Sequence, residues 1–229
     1  MLARSSLLAA AGVLSGALAA CGDEATRQRT SRPAAAQAPA AAATQLGRRA
    51  TVSAQANIFG AGRQAPPAPG GGGAGALPPL WRLPHGSDRV VRVSRATGRV
   101  NPIVDVSTPN GPAGDGRGPT DVESYGGISG IVHRRNGMFL VGVFLGDDPP
   151  SGHGPARLDF TRSKPLGALA PRIGQSFLIG DGRGRAFRVP PRATRLFLGF
   201  ADGYLYQGEP GWYGNNAGRL TVRVDMTRR

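Results

Sequence analysis

A loop near the C-terminus carries side chains that could hold a metal ion. Residues 202–218 join two strand-like runs, and Asp202, Asn215 and Asn216 in this loop offer side-chain oxygens. Its glycines allow the backbone to fold tightly around a bound group. A hard cation such as calcium takes about six to eight oxygen ligands. The residue types therefore favour a calcium site, although Asn and Asp also stabilise simple turns through their own backbone.

Three aromatic residues, Tyr206, Trp212 and Tyr213, lie in the same loop. A metal ion, exposed rings and polar loop groups are together what a sugar-binding site needs. Tyr206 and Trp212 could stack on the face of a sugar, or could close the end of the fold. Asp202 and Glu209 also supply two carboxylates, the pair that a glycosidase uses.

The chain offers little else for catalysis. Its three histidines, His85, His133 and His153, are far apart in sequence, with no helix-borne pair for a metal. A Gly-x-Ser-x-Gly elbow does not occur. We therefore expect a binding protein and not an enzyme.

The elements that must position this loop are strands. Residues 140–145 are apolar at almost every position, which is typical of a strand buried on both faces. Residues 219–226 alternate apolar with polar side chains, and residues 50–59 are a plausible first strand. No stretch after residue 50 sustains a helical period, so the pattern predicts an all-β fold over 48–229, either an antiparallel sandwich or a barrel. The Gly- and Pro-rich segment 60–79 is expected to be a surface loop.

The N-terminus is read as a targeting segment. Residues 1–20 form a signal peptide, and the sequence Leu18-Ala19-Ala20-Cys21 resembles the lipobox of bacterial lipoproteins. The resemblance implies acyl chains on Cys21, the only cysteine, and attachment to the cell envelope membrane. The same resemblance implies that Gly22, where an aspartate would signal inner-membrane retention, favours the outer membrane. Residues 21–47 are expected to form a disordered tether. The alternative is ordinary cleavage that leaves a free thiol.

The net charge is +14 and comes almost entirely from arginine, since Lys164 is the only lysine. This charge favours anionic partners only weakly. No basic run with interleaved aromatics occurs, so we expect no nucleic-acid partner. Electrostatic attachment to anionic polymers through the Arg-rich surface is a further possibility.

Residues 198–224 resemble the C-terminal signature of the calcium-dependent, galactose-binding bacterial lectins of the LecA type. The match consists of Asp202, the sequence Pro210-Gly211-Trp212-Tyr213-Gly214-Asn215-Asn216-Ala217-Gly218 and an alternating final strand. The resemblance implies a lectin-like (galactose-binding-domain-like) sandwich. It also implies calcium ligation by Asp202, Asn215, Asn216 and the Trp212 carbonyl, with a further backbone carbonyl near Asn101-Pro102.

Residues 129–132, 140–145, 179–182 and 193–203, together with the lectin-like signature, more closely resemble a group of secreted bacterial lectin-like domains of unknown function, and this likeness covers most of the domain. Two features depart from the lectin pattern. Residues 203–209 are an insertion between the aspartate and Pro-Gly, and Glu209 could join or replace a ligand. Residues 122–126, where the lectins carry the His and Gln that touch the sugar, contain neither.

We therefore expect a lipid-anchored extracytoplasmic protein whose sandwich binds carbohydrate through calcium. The expected carbohydrate-binding residues are Asp202, Tyr206, Glu209, Trp212 and Asn215. The alternative is a structural or protein-interaction module at the cell envelope that has lost sugar binding.

Overall fold

Strands form nearly all the regular structure in the computed structural model, which describes residues 44–103, 110–114, 118–162, 168–183 and 185–228. In chain order the strands are β1 (Arg49–Ser53), β2 (Leu80–Arg82), β3 (Arg89–Asn101), β4 (Thr120–Val122), β5 (Ile131–His133), β6 (Leu140–Leu145), β7 (Leu158–Phe160), β8 (Ala168–Leu169), β9 (Ser176–Leu178), β10 (Ala186–Arg188), β11 (Arg195–Phe200), β12 (Gln207–Gly208) and β13 (Ala217–Arg228). Short 3-10 helices occur at Ile58–Gly60, Tyr204–Tyr206 and Tyr213–Asn215. The predicted all-β sandwich is confirmed.

The strands form three sheets. Their orders are β1-β13-β3-β10-β8, β2-β11-β6-β9 and β12-β4-β5-β7. Most pairs are antiparallel, and three short pairs, β8 with β10, β4 with β12 and β5 with β7, are parallel. The described residues all fall within one compact unit.

The central sheet is covered on both faces, as the apolar run of β6 predicts. Leu140 and Phe144 pack in one core cluster with residues of the first sheet, such as Val91. Val141 and Val143 point the other way and pack in a second cluster that includes Ile131 of the third sheet. The period of two along a strand sends successive side chains to opposite faces, so an uninterrupted apolar strand needs two partner layers.

The longest pairing joins β3 to β13 and ends at the C-terminal loop. Its register runs from Arg89 opposite Arg228 to Asn101 opposite Ala217, with an irregularity between Thr221 and Arg223. Leu220, Val222 and Val224 are buried while Arg223 is exposed, which confirms the alternation. The pairing places Asn101 beside the end of the loop that carries the predicted ligands.

The first predicted strand is too long. β1 ends at Ser53, and residues Ile58–Gly60 form a 3-10 helix instead. The reason is the buried Asn57, whose side chain accepts a hydrogen bond from the Phe59 N–H at 2.9 Å and caps the helix. Such local side-chain bonds compete with strand pairing.

The N-terminal predictions concern residues that the structure mostly does not describe. The signal peptide, Cys21 and the tether as far as residue 43 lie outside the described residues. Thr44 and Gly47 donate backbone hydrogen bonds to Leu80 and Val224, so the described end of the predicted tether contacts the sandwich. Among the described residues, no helix is long and apolar enough to cross a membrane.

Candidate functional site

The inserted segment 203–209 closes on itself at its base. Gly203 and Pro210 form an antiparallel bridge, and the Gly211 N–H donates to the Asp202 carbonyl at 3.1 Å. Asp202 therefore lies next to Pro210-Gly211 although seven residues separate them in sequence. The insertion extends from this base and leaves the two parts of the predicted metal loop in contact.

Asp202 presents a buried carboxylate at this base. The residue is only 3% exposed. Its two oxygens accept hydrogen bonds from the Gly203 N–H at 2.9 Å and from the Asn216 side-chain amide at 2.7 Å. Burial raises the pKa of Asp202 to about 7, and the bonds from Asn216 and Gly203 oppose this rise only in part. None of the described basic side chains forms an ion pair with it.

Two further buried oxygens belong to the same loop. The Oδ1 atoms of Asn215 and Asn216 are buried and have no hydrogen-bond partner among the described residues. Each unsatisfied buried acceptor costs about 1–3 kcal/mol, so such atoms are rare and call for an explanation. The Asn216 amide holds Asp202 with its nitrogen while its own oxygen is left unused.

This donor set fits a hard cation. One carboxylate and two amide oxygens are the ligand types that calcium prefers, and a cation would compensate both the buried charge and the unsatisfied oxygens. The described residues contain no group of three or more His, Cys, Asp or Glu side chains that could hold a metal, so a zinc-type ligand set is not found there. Asn101, near which a further carbonyl ligand is expected, lies opposite Ala217 and thus one residue from Asn216.

Tyr213 fixes the backbone on which Asp202 sits. Its fully buried hydroxyl donates to the Phe200 carbonyl at 2.9 Å and accepts from the Asp202 N–H at 3.0 Å. Burial, together with the nearby Asp202 charge, raises the pKa of Tyr213 well above its ordinary value. Tyr213 therefore stays neutral and holds the end of β11 against the loop.

The Gly- and Pro-rich segment, expected to be a surface loop, supports the site. Gly70 donates to the Pro210 carbonyl, and the N–H groups of Trp212 and Tyr213 donate to Gly71 and Gly73. A Cβ at Gly70 would lie 2.6 Å from the Glu209 carbonyl oxygen. Glycine is required there because two backbones approach more closely than any side chain permits.

Two polar side chains that sequence reasoning missed hold this assembly in place. The Asn57 amide donates to the carbonyls of Pro67 and Ala74, at 2.7 and 3.0 Å. The Gln55 amide donates to those of Gly214 and Asn216, at 3.2 and 3.1 Å. The glycine run Gly70-Gly71-Gly72-Gly73 was the available signal for a close backbone approach, whereas nothing in the sequence marks Gln55 or Asn57.

The aromatic residues expected to contact a sugar, Tyr206 and Trp212, are both half-buried. Trp212 is half-buried with a φ of 66°, donates its indole N–H to the Gly70 carbonyl at 3.1 Å and packs against Gly72. Tyr206 is half-buried, and its ring lies against Gly137. The most exposed ring in the loop is that of Tyr204, which is 60% exposed and lies 5.0 Å from the Trp212 ring between centroids.

The insertion also reaches the third sheet. β12 pairs with β4, and the Glu123 N–H donates to the Gly208 carbonyl at 2.8 Å. Glu123 begins the exposed segment 123–125, within the stretch where the resembling lectins carry sugar-contacting residues. The Glu209 residue is exposed on the same insertion. Asp202, Asn215, Asn216 and Trp212 thus lie in one loop, with the insertion and segment 123–125 side by side.

Comparison of the sequence with protein-family models and with curated proteins finds no match.

The buried carboxylate predicts an unusual pH dependence for the metal-free protein. Folding raises the Asp202 pKa from 3.8 to about 7, so the protonated form stabilises the fold. That contribution is fully present below pH 3.8 and is lost as the pH rises to about 7. At roughly 1.4 kcal/mol per pKa unit, the free energy of unfolding should fall by about 4 kcal/mol over this range.

Urea unfolding in chelator across this pH range measures the effect. Asp202→Asn is the control, because its amide does not titrate. As the pH rises, the free energy of unfolding of the unaltered protein should fall relative to that of Asp202→Asn. Parallel pH profiles would contradict the burial of a titrating carboxyl at this position.

Proposed function

We propose that the protein binds carbohydrate through a calcium ion in the C-terminal loop and performs no catalysis. The observation that carries the proposal is the contact between the Asn216 amide and the buried Asp202 carboxylate, together with the buried Oδ1 atoms of Asn216 and its neighbour Asn215, which have no hydrogen-bond partner among the described residues. These three side chains and the Trp212 carbonyl would hold the ion. When bound, calcium supplies coordination positions for two neighbouring hydroxyls of a sugar.

Hydrogen bonds from the surrounding residues hold the proposed ligands in place before an ion binds. Tyr213 fixes the Asp202 backbone, and the bonds from Trp212 and Tyr213 to the glycine run restrain the turn that bears the Trp212 carbonyl. Gln55 restrains the carbonyls of Gly214 and Asn216. Such restraint reduces the entropy lost when the ion binds, which favours affinity.

The sugar would lie against the insertion. Tyr204 offers an exposed ring supported from behind by Trp212, and an aromatic face of this kind covers the apolar face of a sugar. Glu209 is exposed on the same segment and could accept hydroxyl hydrogens. Residues 122–126 lack the His and Gln of the resembling lectins, so we propose a sugar with a vicinal diol and do not assign galactose.

The carboxylates favour binding over hydrolysis. A glycosidase needs two carboxyl groups that face the scissile bond. Asp202 is 3% exposed and both of its oxygens are held by loop donors, whereas Glu209 is exposed. This difference in environment suits one metal ligand and one hydroxyl acceptor better than an acid–base pair.

Calcium should stabilise the fold through Asp202. At about one hundred times its dissociation constant, the ion should add roughly 2.7 kcal/mol, which corresponds to a rise in Tm of about 5–10 °C for a domain of this size. Thermal melts with calcium and with chelator measure the shift. Asp202→Asn should abolish it, because the variant removes the only carboxylate of the proposed set.

Glu209→Gln is the matched control for calcium, since it removes an exposed carboxylate from the same loop and should retain the shift. If Glu209→Gln loses the melting shift and Asp202→Asn keeps it, the carboxylate ligand is Glu209 and not Asp202. Absence of any shift in the unaltered protein would rule out the calcium site.

Carbohydrate binding should depend on calcium and on Tyr204. On a glycan array, binding should vanish with chelator, and Tyr204→Ala should weaken the affinity for a positive glycan about three- to tenfold through loss of ring stacking. Leu205→Ala is the control, because Leu205 is the next residue and is 70% exposed but has no ring. A calcium-induced melting shift without any glycan bound would favour the structural or protein-interaction module instead.

The proposed location is the cell envelope, with acyl chains on Cys21 as the anchor. This proposal rests on the lipobox resemblance, since Cys21 lies outside the described residues. The full chain expressed in a bacterial host should partition into detergent, and Cys21→Ser should move it to the aqueous phase. Aqueous partitioning of both proteins would refute the anchor without affecting the calcium site.

A further inference from the structure

Three adjoining clefts form a groove, and its middle part lies away from the C-terminal loop (residues 202–218), here called the calcium loop. Their volumes are about 820, 440 and 210 Å³. The first two share Arg172, Ile173 and Arg192, and the second and third share Arg188, Val189 and Pro191. Arg192 precedes the start of β11 and Asp202 follows its end, so the strand separates the two places by roughly 20 Å.

The middle of the groove is positively charged. Arg172, Arg188 and Arg192 are the charged residues of the middle cleft, and all three are exposed. Among the described residues, none of them forms an ion pair. Their guanidinium groups are therefore available to carboxylate, sulfate or phosphate, which guanidinium binds in a bidentate manner.

A fourth guanidinium is buried next to these three. Arg89 is 1% exposed, and it lines the smallest cleft. Its guanidinium donates to four carbonyls, those of Pro84 (2.6 Å), Ala193 (2.9 Å), Pro190 (3.0 Å) and Pro191 (3.0 Å). Among the described acidic residues, none pairs with it.

Arg89 therefore contributes uncompensated positive charge to the groove. Burial lowers its pKa and the nearby charge of Arg228 lowers it further, but arginine stays protonated in proteins. Pro190 and Pro191, which its guanidinium holds, form part of the wall of the middle cleft. A charge in this low-dielectric position acts strongly on an anion in the adjoining groove.

Among the described residues that line the groove, the acidic ones lie toward its two ends. Asp147 and Asp148 line the largest cleft, and Asp147 accepts a hydrogen bond from the Thr194 hydroxyl at 2.7 Å. Asp88 lines the smallest cleft. The anion-binding part is therefore the middle cleft with the Arg172 and Arg192 side of the largest one.

The walls indicate what kind of anion fits. Much of the described wall is proline and aliphatic, with no Phe, Tyr or Trp in any of the three clefts; the prolines are Pro149, Pro150, Pro155, Pro171, Pro190 and Pro191. Binding of single-stranded nucleic acid relies on aromatic platforms for the bases. A sugar chain with carboxylates presents both apolar ring faces and regularly placed charges.

We propose that this groove binds an extended acidic polysaccharide, with Arg172, Arg188 and Arg192 pairing with its carboxylates. This site is independent of the calcium loop and requires no metal. Binding should be salt-dependent, because the three arginines are exposed and screened by solution ions.

Titration with polygalacturonate by calorimetry, in chelator and at low salt of about 25 mM, tests the proposal. The combined variant Arg172→Gln, Arg188→Gln and Arg192→Gln should bind about tenfold or more weakly. The matched control is Arg99→Gln, Arg134→Gln and Arg219→Gln, which removes the same charge from exposed arginines outside the groove. This control should bind as the unaltered protein does, and neutral dextran should not bind.

Three results would overturn the proposal. If both triple variants bind equally weakly, binding depends on the net charge of the protein and not on the groove. If polygalacturonate does not bind at low salt, the groove does not bind this class of ligand. Tighter binding of a single-stranded oligothymidine or of anionic vesicles, lost in the groove variant, would replace the polysaccharide with a different partner. None of these outcomes depends on calcium, so the calcium proposal stands or fails separately.

Discussion

Burial of one carboxylate at the end of β11 constrains the structure around it. Asp202 lies where β11 leaves the sandwich, and a carboxyl group buried there must be protonated or have its charge compensated by donors or by a cation. The Gly203 N–H and the Asn216 amide supply two donors, and Tyr213 fixes the adjoining backbone. The Oδ1 atoms of Asn215 and Asn216 have no hydrogen-bond partner among the described residues, and the proposed cation would use them as ligands.

The glycine run explains how a long loop becomes a rigid site. Loops carry binding functions when a scaffold holds them. Here the scaffold for one loop is a second loop, since Gly70, Gly71 and Gly73 exchange backbone hydrogen bonds with residues 210–213. A low-complexity segment therefore acts as a structural support, because a Cβ at Gly70, Gly72 or Gly73 would collide with residues 209–214.

The sandwich separates two kinds of electrostatic environment along β11. One end holds the buried Asp202 carboxyl, which accepts hydrogen bonds from the Gly203 N–H and the Asn216 amide, and the other holds exposed guanidinium groups beside the buried Arg89. A cation and an anion would bind at opposite ends without competing. The +14 net charge of the chain does not reveal this arrangement, because it sums over both ends.

The sequence predicts well what periodicity controls. The apolar run at 140–145 indicates a strand covered on both faces, and the alternation at 219–226 indicates a strand with one buried face, because side-chain direction follows from the period of two. The order of Asp202, Asn215 and Asn216 likewise indicates one loop, which the structure shows as a contact between Asp202 and Asn216. The end of β1 could not be foreseen, since it depends on the local hydrogen bond of Asn57.

What only the tertiary structure decides are contacts between residues distant in the chain. The sequence left open whether Tyr206 stacks on a sugar or closes the end of the fold. In the structure Gly137 lies against the Tyr206 ring, while Tyr204 is exposed beside Trp212. Sequence reasoning also treated residues 60–79 as a surface loop, although they support residues 210–213. The groove arginines, with the buried Arg89, come from three segments of the chain (Arg89, Arg172 and 188–192) and have no shared motif. The order of residues in the C-terminal loop was thus sufficient to predict that Asp202 and Asn216 lie together. The exposure of Tyr204, the support of residues 210–213 by segment 60–79 and the arginine groove depend on long-range packing that no local pattern encodes.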